Sequence, residues 1–545
     1  MRSLKFEPGH TITPLIEADE TFAEIERAID TAEREVLMAY WTLAPHLELV
    51  SRRQGNWEDL LTRAAQRGVA FHILLADFDP VFTVQLHRDA WETFHRLRAI
   101  DARDDVATGT VQAVCSRNLA LPNLLERLAG HAVAQFELRE IAKRLDREAA
   151  GDREAAGLID QSIPGLWPHL KRNSARFDKG RPRLIRPLPG SHHEKLCIVD
   201  RKIAFTGGLD IGERRYDTVE HEDDSPWHDL ACRIEGPAVD NLLRHFIERW
   251  NTECAQFRAY LDDLPDREGV AFRPTGDLAE LRTQQSASVA SVGTGEVATV
   301  FSPVRNGEKT EQGRSDIAGA VAAIIGAASR FIYIESQYLR EPRVADWLIH
   351  AATRHPGMEV IILLPIAPDR LSADGEWSSA TRHGHWLQWR NLERLHRTLG
   401  KRFGVFTLLS HQPRTEDDAE EDTALGARSI YVHAKTIIAD DELTMIGSAN
   451  LNGRSFSLDT ETALVWRDAE AVRDFRERLW RHHLDDAMPT AFDPNSASGL
   501  ELWNRVSEEN KRAEIGNRRG FAVAFAREWT ARNIRRSRLI RNRFV

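Results

Sequence analysis

The feature that most constrains this chain is an eight-residue pattern that occurs twice. Residues 193–200 read HEKLCIVD and residues 433–440 read HAKTIIAD, so each copy has a His, a Lys two residues later and an Asp five residues after the Lys. The offset is 240 residues at all three positions, because 433−193, 435−195 and 440−200 are equal. Only 10 of the 73 Lys and Arg residues are Lys, and two of these ten lie in the pattern. Lys presents a compact charge where Arg presents a planar fork, so the choice of residue indicates chemistry.

Each octet closes a similar series of predicted helices and strands. In the first half, helical patterns at 22–35 and 56–68 alternate with apolar strand patterns at 35–43 and 69–80. In the second half the helical patterns are at 315–330 and 344–357, and the strand patterns are at 331–339 and 358–370. This alternation predicts an α/β fold, and its repetition predicts two related halves.

Composition shifts along the chain predict the domain boundaries. We expect a first half, a polar linker, a second half and a basic helical tail over residues 1–270, 271–296, 297–485 and 486–545. Segments 101–180 and 371–428 resemble insertions, mainly helical with loops, which we expect to shape a substrate entrance.

The spacing within each octet predicts which side chains act together. Side chains alternate along a strand, so His193 and Lys195 share a face, and so do His433 and Lys435. We therefore expect two half-sites that face each other across an approximate twofold axis.

The Asp that ends each octet has the opposite parity and begins a turn. We expect Asp200 and Asp440 to have a structural role, accepting hydrogen bonds from the backbone. The stretches AFTGGLD and TMIGSAN follow, and they place Asp210 and Asn450 ten residues after the octet Asp (210−200 and 450−440). Their small residues allow the backbone to approach another group closely.

The charge distribution disfavours a long nucleic-acid partner. Net charge is −10, but residues 511–545 contain eleven basic residues against Glu514 and Glu528, which is +9. The remainder therefore carries −10 − 9 = −19, whereas nucleic-acid binding usually needs a basic face. The basic tail has two interpretations. It is either a membrane-surface element or a terminal helix docked on the acidic body.

Hydropathy and cysteine usage bear on location. The N-terminus has no apolar signal-peptide pattern, and the apolar run GAVAAIIGAA is too short to span a bilayer. We expect Cys115, Cys197, Cys232 and Cys254 to be free thiols, with Cys197 and Cys232 buried in strand-like stretches. These features favour a cytoplasmic protein, with export that needs no N-terminal signal as the alternative.

Two His-Lys pairs in one cavity suit a phosphodiester. The lysines would hold phosphate oxygens and stabilise the charge of the transition state. One His could attack phosphorus while the other protonates the leaving oxygen, which splits the reaction into two steps. Neither role needs a metal ion, so we expect no metal and no cofactor.

At these residues the sequence resembles the phospholipase D superfamily, whose signature is a duplicated HxKxxxxD. Four stretches are similar to plant-type phospholipase D: GGLDIGERRYDT (207–218), PWHDLACRIEGPAV (226–239), FIYIESQYL (331–339) and SANLNGRS…DTETAL (448–464). The resemblance implies two α/β/α sandwich halves with one shared active site. The N-terminal lipid-binding module of the plant enzymes has no visible counterpart.

The resemblance also implies roles for individual residues. His193 resembles the nucleophile that forms a phosphohistidine, and His433 resembles the general acid. Lys195, Lys435 and Asn450 correspond to phosphate-binding residues, and we group Ser448 and Asp210 with the substrate-binding residues. Asp229 and Glu461 correspond to carboxylates that orient the histidines, and we expect Asp229 to pair with His193 and Glu461 to pair with His433.

Two further patterns have both a functional and a structural interpretation. HEDDSPWHD (221–229) offers His and Asp as metal ligands, but a solvated loop that ends in Asp229 is favoured. Five aromatic residues could form a cage for a choline head group, although packing explains most of the 14 Trp residues. These five are Trp227, Trp377, Trp386, Trp389 and Tyr216.

The resemblance implies a phospholipase D that acts at a phospholipid membrane surface as a peripheral protein. The sequence does not determine the oligomeric state, and we expect a monomer. It would hydrolyse glycerophospholipids to phosphatidic acid and a head-group alcohol, with head-group exchange as a related outcome. A phosphatidyltransferase of the cardiolipin-synthase type is the alternative, and a nuclease ranks third because the body is acidic. A non-catalytic lipid-binding module would need a broken octet, and both octets are intact.

Overall fold

The computed structural model shows two similar sheets whose strands come from the two halves of the chain. It describes residues 4–51, 55–118, 124–180, 185, 187–265, 278–282, 290–302, 316–367, 379–416, 418, 423–489, 492, 498–526, 529, 534–537 and 540–545. Trp377 and most of the predicted linker 271–296 lie outside these residues.

The first half contains ten strands and six helices among its described residues. The strands are β1 (Glu7–Ile16), β2 (Glu35–Tyr40), β3 (Ala70–Asp77), β4 (Val111–Arg117), β5 (Leu170–Asn173), β6 (Arg176–Lys179), β7 (Leu196–Val199), β8 (Ile203–Gly207), β9 (Trp227–His228) and β10 (Leu230–Glu235). The helices are α1 (Glu17–Asp30), α2 (Trp57–Gln66), α3 (Val84–Asp101), α4 (Leu124–Ala149), α5 (Arg153–Gln161) and α6 (Ala238–Asp263).

The second half and the tail add ten strands and five helices within the described ranges. The strands are β11 (Gly295–Phe301), β12 (Phe331–Glu335), β13 (Glu359–Leu363), β14 (Phe403–Pro413), β15 (Thr423–Ala424), β16 (Ala427–Val432), β17 (Thr436–Ala439), β18 (Leu443–Gly447), β19 (Thr462–Arg467) and β20 (Ala522–Ala524). The helices are α7 (Asp316–Ala327), α8 (Pro342–Arg354), α9 (Ser379–Leu399), α10 (Ala469–Leu484) and α11 (Gly499–Arg512).

The two halves have the same strand order. It is β4-β3-β2-β7-β8-β10-β1 in the first half and β14-β13-β12-β17-β18-β19-β11 in the second. The first three strands of each series are mutually parallel, and the others pair antiparallel. β1 also pairs with β11, with Glu7 opposite Val297, so the sheets join edge to edge. This arrangement confirms the predicted α/β fold of two related halves.

The helices and strands predicted from apolar periodicity are present, but the predicted insertions need correction. β4 lies in segment 101–180 and pairs with β3, and β14 lies in segment 371–428 and pairs with β13, β16 and β20. Each of these segments therefore contributes a strand to the sheet of its half. The helices α4 and α5 separate β4 from β7, and the helix α9 precedes β14. These long helical segments hid the fact that both strands belong to the sheets.

The Asp residues that end the octets hold the start of a neighbouring strand. Asp200 accepts hydrogen bonds from the N–H groups of residues 33, 34 and 35, and Asp440 accepts them from residues 329, 330 and 331. Both residues have a positive φ, 50° and 56°, which Asp tolerates in a tight turn. This geometry matches the structural role predicted for them.

The tail is helical only in part, which corrects the prediction for residues 486–545. After α11 it forms β20, which pairs antiparallel with β14. Phe521 and Phe525 are buried in the core, and the N–H of Gly453 donates to the carbonyl of Val545 at 3.2 Å. The described part of the tail is therefore docked on the second half.

The remaining composition-based expectations can be compared with burial. All four cysteines are buried free thiols, as predicted. Among the described residues, no helix has the length and apolar character needed to cross a membrane.

Candidate active site

A backbone hydrogen bond joins the first residue of each octet to the opposite half of the fold. The N–H of His193 donates to the carbonyl of Thr460 at 3.0 Å, and the N–H of His433 donates to the carbonyl of His228 at 2.8 Å. Each octet begins its strand only after its Lys, at the start of β7 or β17. The prediction that the His and Lys lie within a strand is therefore wrong, because these residues pair with the other half instead.

The carboxylates that orient the histidines are exchanged between the halves. Nδ1 of His193 lies 3.0 Å from Oε2 of Glu461, and Nδ1 of His433 lies 2.6 Å from Oδ2 of Asp229. The predicted pairs were Asp229 with His193 and Glu461 with His433, and both are wrong. The reason is the backbone pairing, since Glu461 and Asp229 directly follow the carbonyl groups that anchor the opposite octets.

His433 is buried and the His193 side chain is 13% exposed, and both lie beside cations, so both favour the neutral ring. Burial lowers the pKa of His193 well below its ordinary value, and the charge of Lys195 lowers it further. Burial also lowers the pKa of His433, where Lys435 is the largest electrostatic contribution. Lys435 of the second half lowers the pKa of His193, and Lys195 of the first half lowers the pKa of His433. The two histidines and the two lysines therefore share one electrostatic environment.

The orienting carboxyl groups are buried too, and their pKa values shift in the opposite direction. Burial raises the pKa of Glu461 well above its ordinary value and raises the pKa of Asp229. These opposite shifts favour a shared proton between Nδ1 and the carboxyl oxygen in each histidine–carboxyl pair. This proton leaves Nε2 of His193 and of His433 as an acceptor or nucleophile.

The two lysines are almost completely buried and point their charge into the same site. Nζ of Lys195 donates to the carbonyl of His193 at 2.9 Å, and Nζ of Lys435 donates to the carbonyl of His433. The pKa of Lys435 is lowered to about 7, mainly by burial; the charge of Asp229 opposes this shift, and the charge of Lys195 adds to it. An anion bound between the two ammonium groups would relieve this repulsion.

Asp210 and Asn450 occupy equivalent sequence positions but differ in function. Oδ1 of Asp210 accepts hydrogen bonds from the N–H groups of Trp41 and Thr42, and Oδ2 lies 3.2 Å from Nζ of Lys195. Asp210 is fully buried, and its contacts in this structure are with Lys195 and the backbone, so the geometry fits a group that positions Lys195. Oδ1 of Asn450 is buried without a hydrogen-bond partner among the described residues, and Nδ2 of the same amide is the atom that could donate to a phosphate oxygen.

Ser448 supports a catalytic carboxyl group, which corrects its predicted substrate-binding role. Its hydroxyl donates to Oε2 of Glu461 at 2.5 Å, and its N–H donates to the carbonyl of Thr462 at 3.0 Å. The side chain is fully buried. Ser448 therefore fixes the oxygen that faces His193.

Sequence reasoning missed Arg215, a third cation of the site. Its guanidinium carbon lies 5.1 Å from the ring centroid of Trp227 and 5.9 Å from that of Trp41, and Arg215 is 7% exposed. Its charge contributes to the lowered pKa of His433 and of Lys435. The resemblance through GGLDIGERRYDT includes this position, but the many arginines of the chain gave no reason to select it.

Aromatic rings from both halves line the histidines. The ring of Trp41 lies 5.9 Å from that of His193, and the ring of Trp227 lies 4.8 Å from those of His433 and Tyr431. Trp227 and Tyr431 are stacked, and Nε2 of Gln337 donates to the Tyr431 hydroxyl at 2.9 Å. These contacts form an apolar wall beside the charged groups.

Two of the five aromatic residues considered for a cage are placed by packing, which is the interpretation favoured from the sequence. Trp227 lies at the histidines, but Tyr216 packs against Phe22 in the first half, 4.8 Å between ring centroids. Trp386 stacks on His383 in the second half. Packing therefore explains Tyr216 and Trp386.

The stretch HEDDSPWHD is solvated only in its middle. Residues 222–225 are exposed, as the loop interpretation predicts, but His221 and His228 at or near its ends are fully buried. The interpretation is wrong at these ends, because both rings enter a polar cluster between the two halves.

Two family descriptions match adjoining parts of the chain. The description "Phospholipase D" matches residues 222–342, and "Cardiolipin synthase, PLD-like domain" matches residues 321–483. Phospholipase D alpha 2 of Arabidopsis thaliana is 25% identical over 428 residues, which are 58% of this chain and 52% of that protein. Phospholipase D1 of Saccharomyces cerevisiae is 25% identical over 451 residues, 62% of this chain and 26% of that protein. The chain thus spans about half or less of the length of these curated relatives.

A solved structure shares the fold. The phosphatidylserine synthase of Haemophilus influenzae Rd KW20 is similar with a TM-score of 0.50 and 14% identity, covering 88% of each chain. The duplicated octets, the shared site and the family matches agree. These matches support the phospholipase D superfamily for this chain.

Proposed function

We propose that this protein is a phospholipase D that hydrolyses glycerophospholipids to phosphatidic acid and a head-group alcohol. The observation that carries the proposal is the crossed pair of histidine–carboxyl contacts, His193 with Glu461 and His433 with Asp229. These contacts orient the Nε2 atoms of His193 and His433, and Lys195 and Lys435 add two buried ammonium groups. The nitrogens can attack phosphorus and transfer a proton, and the ammonium groups can stabilise the negative charge of a phosphodiester.

In the first step, Nε2 of His193 attacks phosphorus and the bond to the head-group oxygen breaks. His433 gives its Nε2 proton to that oxygen, so the alcohol leaves neutral. The bound phosphodiester charge favours the protonated form of His433, although burial and Lys435 lower its pKa in the free protein. The product of this step is a phosphohistidine on His193.

In the second step, water replaces the alcohol. His433 accepts a proton from the water as the oxygen attacks phosphorus, and the bond from phosphorus to Nε2 of His193 breaks. Phosphatidic acid leaves, and His433 keeps the proton needed for the next cycle. A primary alcohol at the water position would give head-group exchange by the same steps.

The assignment of His193 as nucleophile rests on the charges around it. His193 contacts Glu461 and also feels the negative charges of Asp459 and Asp210, which stabilise a cationic phosphohistidine. His433 has Arg215 nearby, and this charge favours proton release. The predicted roles thus stand as a proposal, although the carboxylates differ from those expected.

A substrate in a bilayer implies action at a phospholipid surface, and we propose peripheral association with a membrane. A phosphatidyltransferase is the second candidate, because the description of a cardiolipin-synthase domain matches residues 321–483. Its acceptor would be a lipid alcohol in place of water.

Incubation of the purified protein with a phospholipid panel, with and without ethanol, tests these alternatives. Release of head group and phosphatidic acid supports the hydrolase, and phosphatidylethanol shows exchange. Cardiolipin formed from phosphatidylglycerol would favour the transferase. Absence of all three products, with a nucleic-acid diester cleaved instead, would contradict the lipid assignment.

A further inference from the structure

Four side chains from both halves place their ligand atoms around one point behind the active site. They are Glu17, His221, His228 and His482, and their nearest nitrogen or oxygen atoms all lie within 4.8 Å of one another. Three of them are fully buried, and the side chain of His482 is 10% exposed. Glu17 begins α1, His221 and His228 belong to the stretch before β10, and His482 lies on α10.

Three of the ligand–ligand distances within this cluster are close to the edge of a small coordination tetrahedron. Nε2 of His221 lies 3.2 Å from Nε2 of His482 and 3.5 Å from Oε1 of Glu17. Nε2 of His482 lies 3.0 Å from the same oxygen, and Nδ1 of His228 also contacts it. Zinc–nitrogen bonds of about 2.0–2.1 Å in tetrahedral geometry give ligand–ligand separations of roughly 3.3–3.4 Å.

Three ring nitrogens lie around one carboxylate oxygen. The Nε2 atoms of His221 and His482 face each other, so at least one of them is an unprotonated acceptor with a lone pair directed into the cluster. A cation at the centre could accept a lone pair from each ring nitrogen.

The second ring nitrogens of two of these histidines are held by buried carboxylates. Nδ1 of His221 lies 2.6 Å from Oδ2 of Asp217, and Nε2 of His228 lies 2.9 Å from Oε2 of Glu335. Oε1 of Glu335 accepts a hydrogen bond from the hydroxyl of Tyr333 at 2.6 Å. A carboxylate on the far nitrogen is typical of metal-binding histidines, since it fixes the tautomer and orients the ring.

Backbone geometry and access are consistent with a ligand at this point. Glu17 has a φ of 65° and His221 a φ of 53°, both in the left-handed region that non-glycine residues rarely adopt. A surface cavity bordered by Ile16, Val219 and Glu477 reaches His482, the most exposed member of the cluster. An ion could therefore enter without opening either half.

We propose that Glu17, His221, His228 and His482 bind one Zn²⁺ ion that ties the two halves together. Three imidazoles and one carboxylate form the ligand set and number of a tetrahedral zinc site. The ion has a structural role: no step of the phosphodiester reaction uses it. It acts beside that site, because the N–H of Asp229 donates to the second oxygen of Glu17 at 3.1 Å.

The alternative is a metal-free network in which His228 is protonated. Although burial alone would lower it, Glu17 and Glu335 hold the pKa of His228 well above its ordinary value. Zinc would displace that proton from Nδ1, so binding should release protons.

Metal analysis of the intact protein separates these two states. We expect about one zinc per chain by elemental mass spectrometry after purification without chelator or metal resin. Removal with a strong chelator should lower the melting temperature, and Zn²⁺ but not Mg²⁺ should restore it. Co²⁺ in its place should give the intense visible absorption bands of a tetrahedral site.

Variants locate the site. His482→Ala changes the most exposed ligand and should weaken Zn²⁺ affinity more than about tenfold, at least as much as loss of an outer-shell partner. His396→Ala, an exposed histidine on α9, is the matched control and should bind like the wild type. Wild-type protein that contains no zinc and takes up none from buffered Zn²⁺, or equal affinity in His482→Ala, would overturn the proposal.

Discussion

Nδ1 of His193 lies 3.0 Å from Oε2 of Glu461, a carboxyl group 268 residues later in the chain and in the other half of the fold. The reciprocal contact joins His433 to Asp229 of the first half. Neither half therefore contains a complete catalytic pair. Because each histidine contacts a carboxyl group of the other half, the site forms only when the two halves are packed correctly against each other. This crossed pairing determines how the variants below should behave.

Replacement of either catalytic histidine should abolish turnover. His193→Ala and His433→Ala each remove a group for which no other side chain can substitute, so we expect losses of at least about 10²–10⁴ in kcat. Lys195→Arg should also fail, because a planar guanidinium cannot occupy the buried place of an ammonium group beside Asp210. Head-group release from a short-chain lipid is the measurement.

The exposed His396→Ala variant is the control for these substitutions and should keep wild-type activity. Either catalytic variant that retains more than about a tenth of wild-type turnover would contradict a single site in which both histidines act.

The crossed carboxylates predict an opposite response of two variants to the leaving group. Asp229→Asn should impair the acid His433, so its penalty in the first step should largely disappear with a nitrophenol leaving group, which needs no proton. Glu461→Gln should impair the nucleophile His193, so its penalty of about 10²-fold or more should remain. The burst of nitrophenolate under pre-steady-state conditions measures this step. The reverse pattern would restore the uncrossed pairing.

Diester binding should weaken as pH rises above 7. Burial lowers the pKa of Lys435 to about 7 in the free protein, whereas a bound anion favours its charged form. Below pH 7 the ammonium is already present, but above it each bound diester must recruit a proton, so Kd should rise by up to about tenfold per pH unit. Calorimetry with dimethyl phosphate, whose charge is constant here, measures this slope.

Lys435→Arg is the matched control for the pH experiment, because arginine does not titrate in this range. Its affinity is expected to be lower but independent of pH between 7 and 9. A wild-type Kd that is equally flat would show that Lys435 is fully charged before the ligand arrives.

Asp440→Ala should destabilise the fold without acting on the chemistry. The carboxylate accepts hydrogen bonds from three successive N–H groups and from the Ser329 hydroxyl, all at the start of β12. Loss of these bonds should cost about 3 kcal/mol in the free energy of unfolding, while KM stays unchanged. Chemical denaturation measures it against the exposed Asp474→Ala, and a difference below about 1 kcal/mol would contradict the role.

Much of the fold could be predicted because its signals are local. Apolar periodicity placed β2, β3, β12 and β13 and the helices before them, and the repeated octet revealed the duplication. β4 and β14 were missed because their place in each sheet depends on long-range pairing, which leaves no mark in the segment itself.

The catalytic residues could be selected from the sequence, but their partners could not. The spacing identifies His193 and His433, whereas the crossing arises from backbone bonds to Thr460 and His228, which are 267 and 205 residues away (460−193 and 433−228). Ser448 and Asp210 were assigned to substrate for the same reason. Burial decides their roles, and burial follows from packing between the halves.

The covalent intermediate tests the central claim most directly. His433→Asn protein mixed with a short-chain lipid that carries a nitrophenol leaving group should form the adduct, because this first step needs no acid, and should not hydrolyse it. Mass spectrometry should then find the phosphatidyl group on His193. The account predicts this adduct on His193 and none in His193→Asn protein. An adduct on His433 in His193→Asn protein, with His193 unmodified in the reciprocal variant, would contradict it.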